Sequence, residues 1–182
     1  MSSQTILQVE NLKVNFNVTS EGDMPWTKPK KLQAVNGVSF QLNSGETLGI
    51  VGESGCGKST LARAIVKMVP THSGKVIWLG NNLLELNKSE MRHHRKQIQM
   101  IFQDPLASLD PRMNIGEIIA EPLRTHYPKT PEADVKLRVS DVMNKVGLLD
   151  NLVNRYPHEF SGGQCQRIGI ARALILKPKL II

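Results

Sequence analysis

A glycine-rich loop between an apolar segment and a helix-forming segment constrains the fold of this chain more than any other feature. The loop has the sequence GESGCGKST at residues 52–60 and matches the pattern G-x-x-x-x-G-K-[ST]. Residues 47–51 before it predict a short buried strand, and residues 61–69 after it predict a helix ended by Pro70. Loops of this kind turn backbone N–H groups towards phosphate oxygens. The sequence therefore predicts a phosphate-binding α/β fold.

The side chains of this loop have separate expected roles. Lys58 reaches the β and γ phosphates of a nucleotide, Ser59 offers its hydroxyl to Mg²⁺, and Thr60 continues the cradle. One hydroxyl suffices because Mg²⁺ keeps several waters and uses few protein ligands. The candidate phosphate-binding residues are Gly52, Glu53, Ser54, Gly55, Cys56, Gly57, Lys58, Ser59 and Thr60.

A second helix start that contains glycine follows at Ser161-Gly162-Gly163-Gln164. The spacing of its serine and glutamine predicts a capping box. The two glycines remain unexplained by capping, since glycine costs a helix about 0.5 to 1 kcal/mol relative to alanine. An anion that approaches the bare N–H groups at the positive end of the helix would explain them. We therefore predict that these four residues also bind phosphate.

A chain with the phosphate loop at residues 52–60 and the second glycine motif at residues 161–164 resembles the ATP-binding subunits of ABC transporters. The first loop corresponds to their Walker A motif, residues 101–105 (IFQDP) to their Q-loop, and residues 160–164 (FSGGQ) to their signature. Residues 102–122 and 156–176 are similar, more narrowly, to the ATPase subunits of bacterial oligopeptide and dipeptide importers.

This resemblance implies a P-loop NTPase fold of the ABC type, an α/β fold whose mixed sheet carries an antiparallel β subdomain and an inserted helical subdomain. The predicted division is a nucleotide-binding core at residues 1–103, a helical subdomain at 104–160, and the signature helix with the start of a further core strand at 161–182. The pattern of the chain agrees. Strands are predicted at residues 6–18, 32–42, 75–79 and 98–102, helices at 115–123 and 135–146, and a loop at 19–31.

The resemblance also implies roles for single residues. Gln103 joins Ser59 at Mg²⁺, and an aromatic residue of the first strand stacks on adenine. Phe16 is the first candidate for that contact and Trp26 the second, while a core position remains an equal alternative for Phe16. In such proteins two ATPase domains pair head to tail, so that the Walker A loop of one and the signature of the other enclose the same ATP.

The partners implied are a sister ATPase subunit, identical or different, two membrane-embedded permease subunits and, indirectly, a periplasmic peptide-binding protein. The expected location is the cytoplasmic face of the bacterial inner membrane, since the sequence contains neither a signal peptide nor a run of 18 apolar residues. No nucleic acid is expected. A soluble ABC protein that remodels nucleic acid or ribosomes is the alternative that the net charge of +7 suits, and salt-sensitive retention on nucleic acid would favour it.

In the family pattern, an acidic metal ligand, a catalytic base, a D-loop and a switch histidine follow the strand that begins at residues 179–182. We therefore expect a fragment of a longer protein that contains no catalytic residue, binds ATP weakly and does not turn it over. The alternative is a non-catalytic product that binds nucleotide or occupies the partner subunit. Glu53, Asp104 and Glu159 are not expected to substitute. Phosphate release by the purified chain would contradict this expectation.

Two further features have ordinary explanations. The basic clusters Lys28, Lys30, Lys31 and Arg92, His93, His94, Arg95, Lys96 predict solvated surface. We predict that Cys56 and Cys165 are small, buried side chains that fill space in the core. The alternative for the cysteines is a cross-link between facing motifs of two copies.

Overall fold

A computed structural model describes residues 4–18 and 30–182, and the chain divides into two compact units, Met1–Met91 and Arg92–Ile182. The division into 1–103, 104–160 and 161–182 stays a prediction. Trp26, Lys28 and the predicted loop up to residue 29 lie outside the described residues, whereas Lys30 and Lys31 belong to the second strand.

The first unit is built on a four-stranded antiparallel sheet with the spatial order β2-β1-β3-β4. The strands are β1 (Thr5–Val18), β2 (Lys30–Asn43), β3 (Ser73–Trp78) and β4 (Asn81–Asn82). The strands predicted in this part of the chain from alternating apolar residues are confirmed, because alternation at period two buries one face of a strand.

The buried positions of β1 shift by one residue at Asn11. Leu7 and Val9 are buried before it. Leu12 and Val14 are buried after it, so the alternation is interrupted once. The register with β2 shifts at the same place, and Asn11 adopts a left-handed φ of 44°. This irregularity keeps all four apolar side chains in the core.

Helix α1 (Lys58–Ile65) ends earlier than the predicted residue 69. Lys67 has a left-handed φ of 53°, and its N–H donates to the Ala64 carbonyl oxygen at 3.0 Å. The N–H of Met68 donates to the Arg63 carbonyl oxygen at 2.8 Å. These two bonds form a Schellman motif, which ends the helix before the proline is reached.

The strand predicted at residues 47–51 is wrong for this structure. Within the described residues this segment pairs with no other strand, and Leu48, Ile50 and Val51 are exposed, Val51 by 93%. A strand exists only where a neighbour accepts and donates its backbone hydrogen bonds. The apolar sequence alone therefore does not produce one here.

The second unit combines a short parallel sheet with helices. Strands β5 (Ile98–Gln99) and β6 (Leu180–Ile181) pair in parallel, and the N–H of Ile101 donates to the Ile182 carbonyl oxygen at 2.8 Å. Strands are predicted at residues 98–102 and 179–182, and the structure has a strand at both places, the first ending at Gln99. Helix α2 (Lys88–Arg95) spans the division of the chain, and the other helices are α3 (Ile115–His126), α4 (Glu132–Lys145) and α5 (Gly162–Leu174).

Helices α3, α4 and α5 enclose one apolar core. Its buried members include Ile115, Ile118, Ile119, Leu123, Val135, Val139, Val142, Met143, Ile168 and Ile175. Asn114 and Glu117 form a capping box at the start of α3, and Gly147, with a φ of 71°, follows the end of α4. Both predicted helices are confirmed, although α3 continues to His126.

The second basic cluster is attached to the end of α3. A guanidinium nitrogen of Arg92 donates to the Thr125 carbonyl oxygen at 2.8 Å, and the Lys96 amine lies 4.8 Å from the centre of the Tyr127 ring. Burial lowers the pKa of His126, and the charge of Lys96 lowers it further. The prediction of solvated surface is therefore incomplete, because Arg92 contacts α3 and Lys96 contacts the residue that follows α3.

Candidate functional site

The predicted phosphate loop lies in the first unit and leads directly into α1. Gly55 and Gly57 adopt left-handed φ angles of 79° and 99°, which turn the loop sharply. The N–H of Cys56 donates to the Glu53 carbonyl oxygen at 3.4 Å. The first helical bond runs from the N–H of Leu61 to the Gly57 carbonyl oxygen at 2.8 Å, so the N–H groups of the preceding helical residues have no acceptor inside the helix.

The N-terminus of α1 presents an uncompensated positive end. Its N-cap residue is Gly57, no described side chain caps it, and its first turn contains no acidic residue. The Ser59 hydroxyl is exposed at this end and makes no hydrogen bond within the described residues. Free N–H groups and the helix dipole together favour an anion at such an end.

Gly57 is required by a backbone contact. A Cβ placed on Gly57 would lie 2.2 Å from the Ala34 carbonyl oxygen of β2, and its φ of 99° also excludes most side chains. Sequence reasoning missed Ala34, because its contribution is a main-chain oxygen that no side-chain pattern marks. Strand β2 therefore fixes one wall of the phosphate loop.

The Lys58 amine closes the loop from inside. Its Nζ donates to the carbonyl oxygens of Gly52 at 2.7 Å and Glu53 at 2.6 Å, and it lies 3.6 Å from the Cys56 Sγ. An ammonium group has three donors, and a thiol is a weak acceptor that a phosphate oxygen can replace. The arrangement places one positive charge among the backbone donors of the loop.

The two cysteines differ in exposure. Cys165 is buried, its Sγ lies 3.6 Å from the Pro157 carbonyl oxygen, and burial raises the pKa of its thiol. Cys56 is exposed. The expectation of small buried side chains is therefore confirmed for Cys165 and wrong for Cys56. A cross-link between the two thiols needs both at the surface, so the burial of Cys165 argues against it.

Alkylation under native conditions should distinguish the two thiols. We expect a maleimide to modify Cys56 at least about tenfold faster than Cys165, because a buried thiol reacts only after local opening. Peptide mass spectrometry of a time course measures both rates, with the chain unfolded in guanidinium as the control in which the rates converge. Equal rates in the native protein would contradict the burial of Cys165.

The predicted capping box at the second glycine motif is confirmed. The Ser161 Oγ accepts from the N–H of Gln164 at 3.3 Å, and the Gln164 Oε1 accepts from the N–H of Ser161 at 2.9 Å. Both side chains are therefore engaged at the start of α5. The N–H of Cys165 makes the first helical bond, to the Ser161 carbonyl oxygen at 2.9 Å, which leaves the N–H groups of Gly162 and Gly163 without acceptors in the helix.

Nothing inside the described protein explains why Gly162 and Gly163 are glycines. A Cβ placed on either would meet no described atom within 4 Å, both residues are exposed, and neither has a left-handed φ. Backbone conformation and internal packing would accept alanine at both positions. The open space above this helix start is consistent with a group from outside the chain that needs close access to the backbone.

The remaining predicted residues occupy separate places. Gln103 is exposed and lies beyond the end of β5, separated from Gln99 by residues 100–102. Phe16 is half-buried in β1, opposite Leu32 of β2. The phosphate loop and Phe16 belong to the first unit, and Gln103 and the signature residues belong to the second. Joint binding of Mg²⁺ by Ser59 and Gln103 and adenine stacking by Phe16 stay predictions.

Two carboxylates near these motifs cap backbone turns. The Glu159 Oε2 accepts from the N–H of Tyr156 at 2.7 Å, and the Asp104 Oδ1 accepts from the N–H of Ala107 at 3.1 Å. Over residues 4–18 and 30–182 the structure contains no group of three or more His, Cys, Asp and Glu side chains suited to a metal ion. In the same residues every helix is too short or too polar to cross a bilayer.

Comparison with known proteins matches residues 35–182 to the family described as ABC transporter. The chain is 63% identical over 179 residues to the oligopeptide transport ATP-binding protein OppF of Salmonella typhimurium, covering 98% of this chain and 54% of that protein. It is 46% identical over 182 residues to the oligopeptide transport ATP-binding protein AppF of Bacillus subtilis, covering 100% of this chain and 54% of that protein. The chain thus spans about half the length of the curated relatives it matches.

A solved dimeric structure of the ATP-binding cassette MJ0796, in a post-hydrolysis state with ADP and Pi, has a similar fold. The TM-score is 0.84 at 25% identity, over 97% of this chain and 72% of that chain. A second dimeric structure of MJ0796, described as a bacterial ABC transporter cassette, gives a TM-score of 0.83 at 26% identity over the same shares of the two chains.

Proposed function

Since the chain belongs to the ABC transporter family of ATP-binding cassettes, we propose that it is the ATP-binding, energy-coupling part of a bacterial importer of oligopeptides or dipeptides. The substrate class is supported by the relatives, which are named as oligopeptide transport ATP-binding proteins. In the whole protein, ATP hydrolysis would drive transport.

The observation that carries this proposal is the start of α1. An uncapped helix end, two glycines with left-handed φ and the Lys58 amine converge there without a compensating acidic residue in the first turn. The residues from Gly52 to Thr60 would hold the phosphates of ATP, and Phe16 would stack on the adenine. Ser59, with Gln103, suits Mg²⁺, which would neutralise phosphate charge when bound.

The signature would bind the ATP held by a second subunit. The exposed Gly162 and Gly163 offer backbone donors with no Cβ in the way, while the capping box of Ser161 and Gln164 holds the helix start in place. A dimeric cassette of similar fold with ADP and Pi supports such a pair. The further partners proposed are two permease subunits and a periplasmic peptide-binding protein, at the cytoplasmic face of the inner membrane.

Substitution of Gly163 by alanine tests this role. We expect the free energy of unfolding to rise by up to about 1 kcal/mol, because alanine favours a helix and the added Cβ meets no described atom within 4 Å. We expect nucleotide-dependent pairing of ATPase subunits to weaken about tenfold, because the same Cβ displaces the phosphate from the backbone donors. Denaturant titration measures the first quantity, and sedimentation of the full-length protein with a non-hydrolysable ATP analogue measures the second.

Gly169→Ala is the matched control on the same helix. It also adds a Cβ that meets no described atom within 4 Å, but it lies away from the helix start. We expect it to leave pairing unchanged. Pairing that survives in Gly163→Ala, or that falls equally in both variants, would contradict the role of the signature glycines.

A further inference from the structure

Arg172, near the end of α5, contacts the turn that follows Gln103. Its guanidinium donates to the Ser108 carbonyl oxygen at 2.6 Å, and its side chain is half-buried. Burial lowers the pKa of Arg172, and the charge of Glu121 raises it in part. Within the described residues Arg172 forms no salt bridge, so its main polar contact is a single backbone oxygen.

The turn that Arg172 contacts is internally bonded from Asp104 onward. The Asp104 carboxylate accepts from the N–H of Ala107 at 3.1 Å, and the Ser108 hydroxyl donates to the Pro105 carbonyl oxygen at 2.8 Å. The N–H of Ser108 also donates to Pro105, at 3.2 Å, and Leu109 is buried directly after the turn. A displacement of the Ser108 carbonyl group would therefore also displace Asp104, the residue next to Gln103, because hydrogen bonds join the residues between them.

Packing alone does not account for an arginine at this position. A charged group that loses water without a salt bridge is unfavourable, and an apolar side chain of similar volume would fill the same space with less desolvation. What the guanidinium adds is a strong, directed donor to one carbonyl oxygen. The position of that donor matters because α5 begins at the signature, about 15 Å away along the helix axis at 1.5 Å per residue.

We propose that Arg172 is a positioning residue that ties the segment after Gln103 to the signature helix. The inference rests on the proposed function, in which Gln103 and the signature both respond to ATP. A displacement of α5 on nucleotide binding would then be passed to residues 104–109 through the Arg172–Ser108 contact. The same contact would pass a displacement of residues 104–109 back to α5.

Amide hydrogen exchange on the full-length protein tests whether the Arg172–Ser108 contact links the two segments. In Arg172→Met we expect the N–H groups of Ser108 and Leu109 to exchange about tenfold faster than in wild type without nucleotide, because their turn loses its anchor. With a non-hydrolysable ATP analogue, we expect wild type to change exchange at residues 162–166 and at 104–109 together. In the variant, we expect a change at 162–166 alone, while the Kd for the nucleotide stays within about twofold.

Arg167→Met is the matched control, because Arg167 also lies on α5 and donates to carbonyl oxygens, those of Val146 and Gly147 at 3.2 and 3.3 Å. We expect it to leave residues 104–109 unchanged and to speed exchange only near residue 147. A uniform rise of exchange along α5 in Arg172→Met would indicate lost packing and overturn the proposal.

If Arg172→Met does not fold, the same hydrogen-exchange experiment is done on Arg172→Lys. It keeps a cation but loses the planar donor geometry, so we expect a smaller rise, about threefold, at Ser108 and Leu109. Unchanged exchange at these two residues overturns the proposal, as does a nucleotide response at 104–109 that persists in the variants. If wild type binds no nucleotide, the proposed function fails, and the nucleotide-free exchange still decides whether Arg172 holds the turn.

Discussion

Replacing Lys58 by alanine is expected to raise the Kd for ATP about 100-fold. The amine would contribute a charge-assisted hydrogen bond to phosphate worth about 1.5 to 3 kcal/mol, and a 100-fold change in Kd corresponds to about 2.7 kcal/mol, which lies in that range. The substitution also removes the bonds from Nζ to the Gly52 and Glu53 carbonyl oxygens, so the loop is less well held. Titration of the full-length protein with a fluorescent ATP analogue measures the Kd.

The control for charge is Lys88→Ala. Lys88 is exposed in the first turn of α2 and lies in the same unit of the chain. Its removal lowers the net charge equally, so we expect the Kd to change by less than about twofold. An equal effect of both substitutions would mean that the phosphate is attracted by net charge and not held in the loop.

Replacing Gly57 by alanine is expected to lower the free energy of unfolding by about 3 kcal/mol and to abolish detectable ATP binding. The added Cβ would lie 2.2 Å from the Ala34 carbonyl oxygen, and main chain cannot move aside as cheaply as a flexible side chain. The φ of 99° adds its own conformational cost. Denaturant titration and nucleotide titration measure the two effects.

Gly45→Ala separates the conformational cost from the steric overlap. Gly45 also has a left-handed φ, of 76°, but a Cβ there meets no described atom within 4 Å. We expect a loss of about 1 kcal/mol and unchanged ATP binding. Equal losses of stability in the two variants would mean that the contact with Ala34 is relieved by relaxation.

The sequence was sufficient to predict the family and much of the fold. The loop that contains Lys58 and the motif that contains Ser161 indicated an ABC cassette, and the family match and the similarity to solved cassettes confirm it. The capping box of Ser161 and Gln164 was predictable because both partners lie within one helical turn. Alternation of apolar residues predicted the antiparallel strands for a similarly local reason.

Features that depend on distant or main-chain atoms were not predictable. Residues 47–51 have the composition of a strand, but pairing depends on a neighbour and not on composition. The end of α1 depends on the backbone conformation of Lys67, a residue type that rarely adopts a left-handed φ. The contacts of Ala34 and Ser108 are made by carbonyl oxygens, which every residue type carries.

The closeness of Gly57 to Ala34 bears on how such a protein would distinguish nucleotides. Ala34 lies in β2, which is paired with the segment of β1 that carries Phe16. If Phe16 stacks on the base, then the residue that contacts the base and the residue that contacts the phosphate loop belong to the same pair of strands, and Ala34 leaves no room for the loop to move towards it. A poorly positioned base would tilt these two strands and misalign the phosphate loop. Selectivity for the base would then appear as weaker binding of the phosphates.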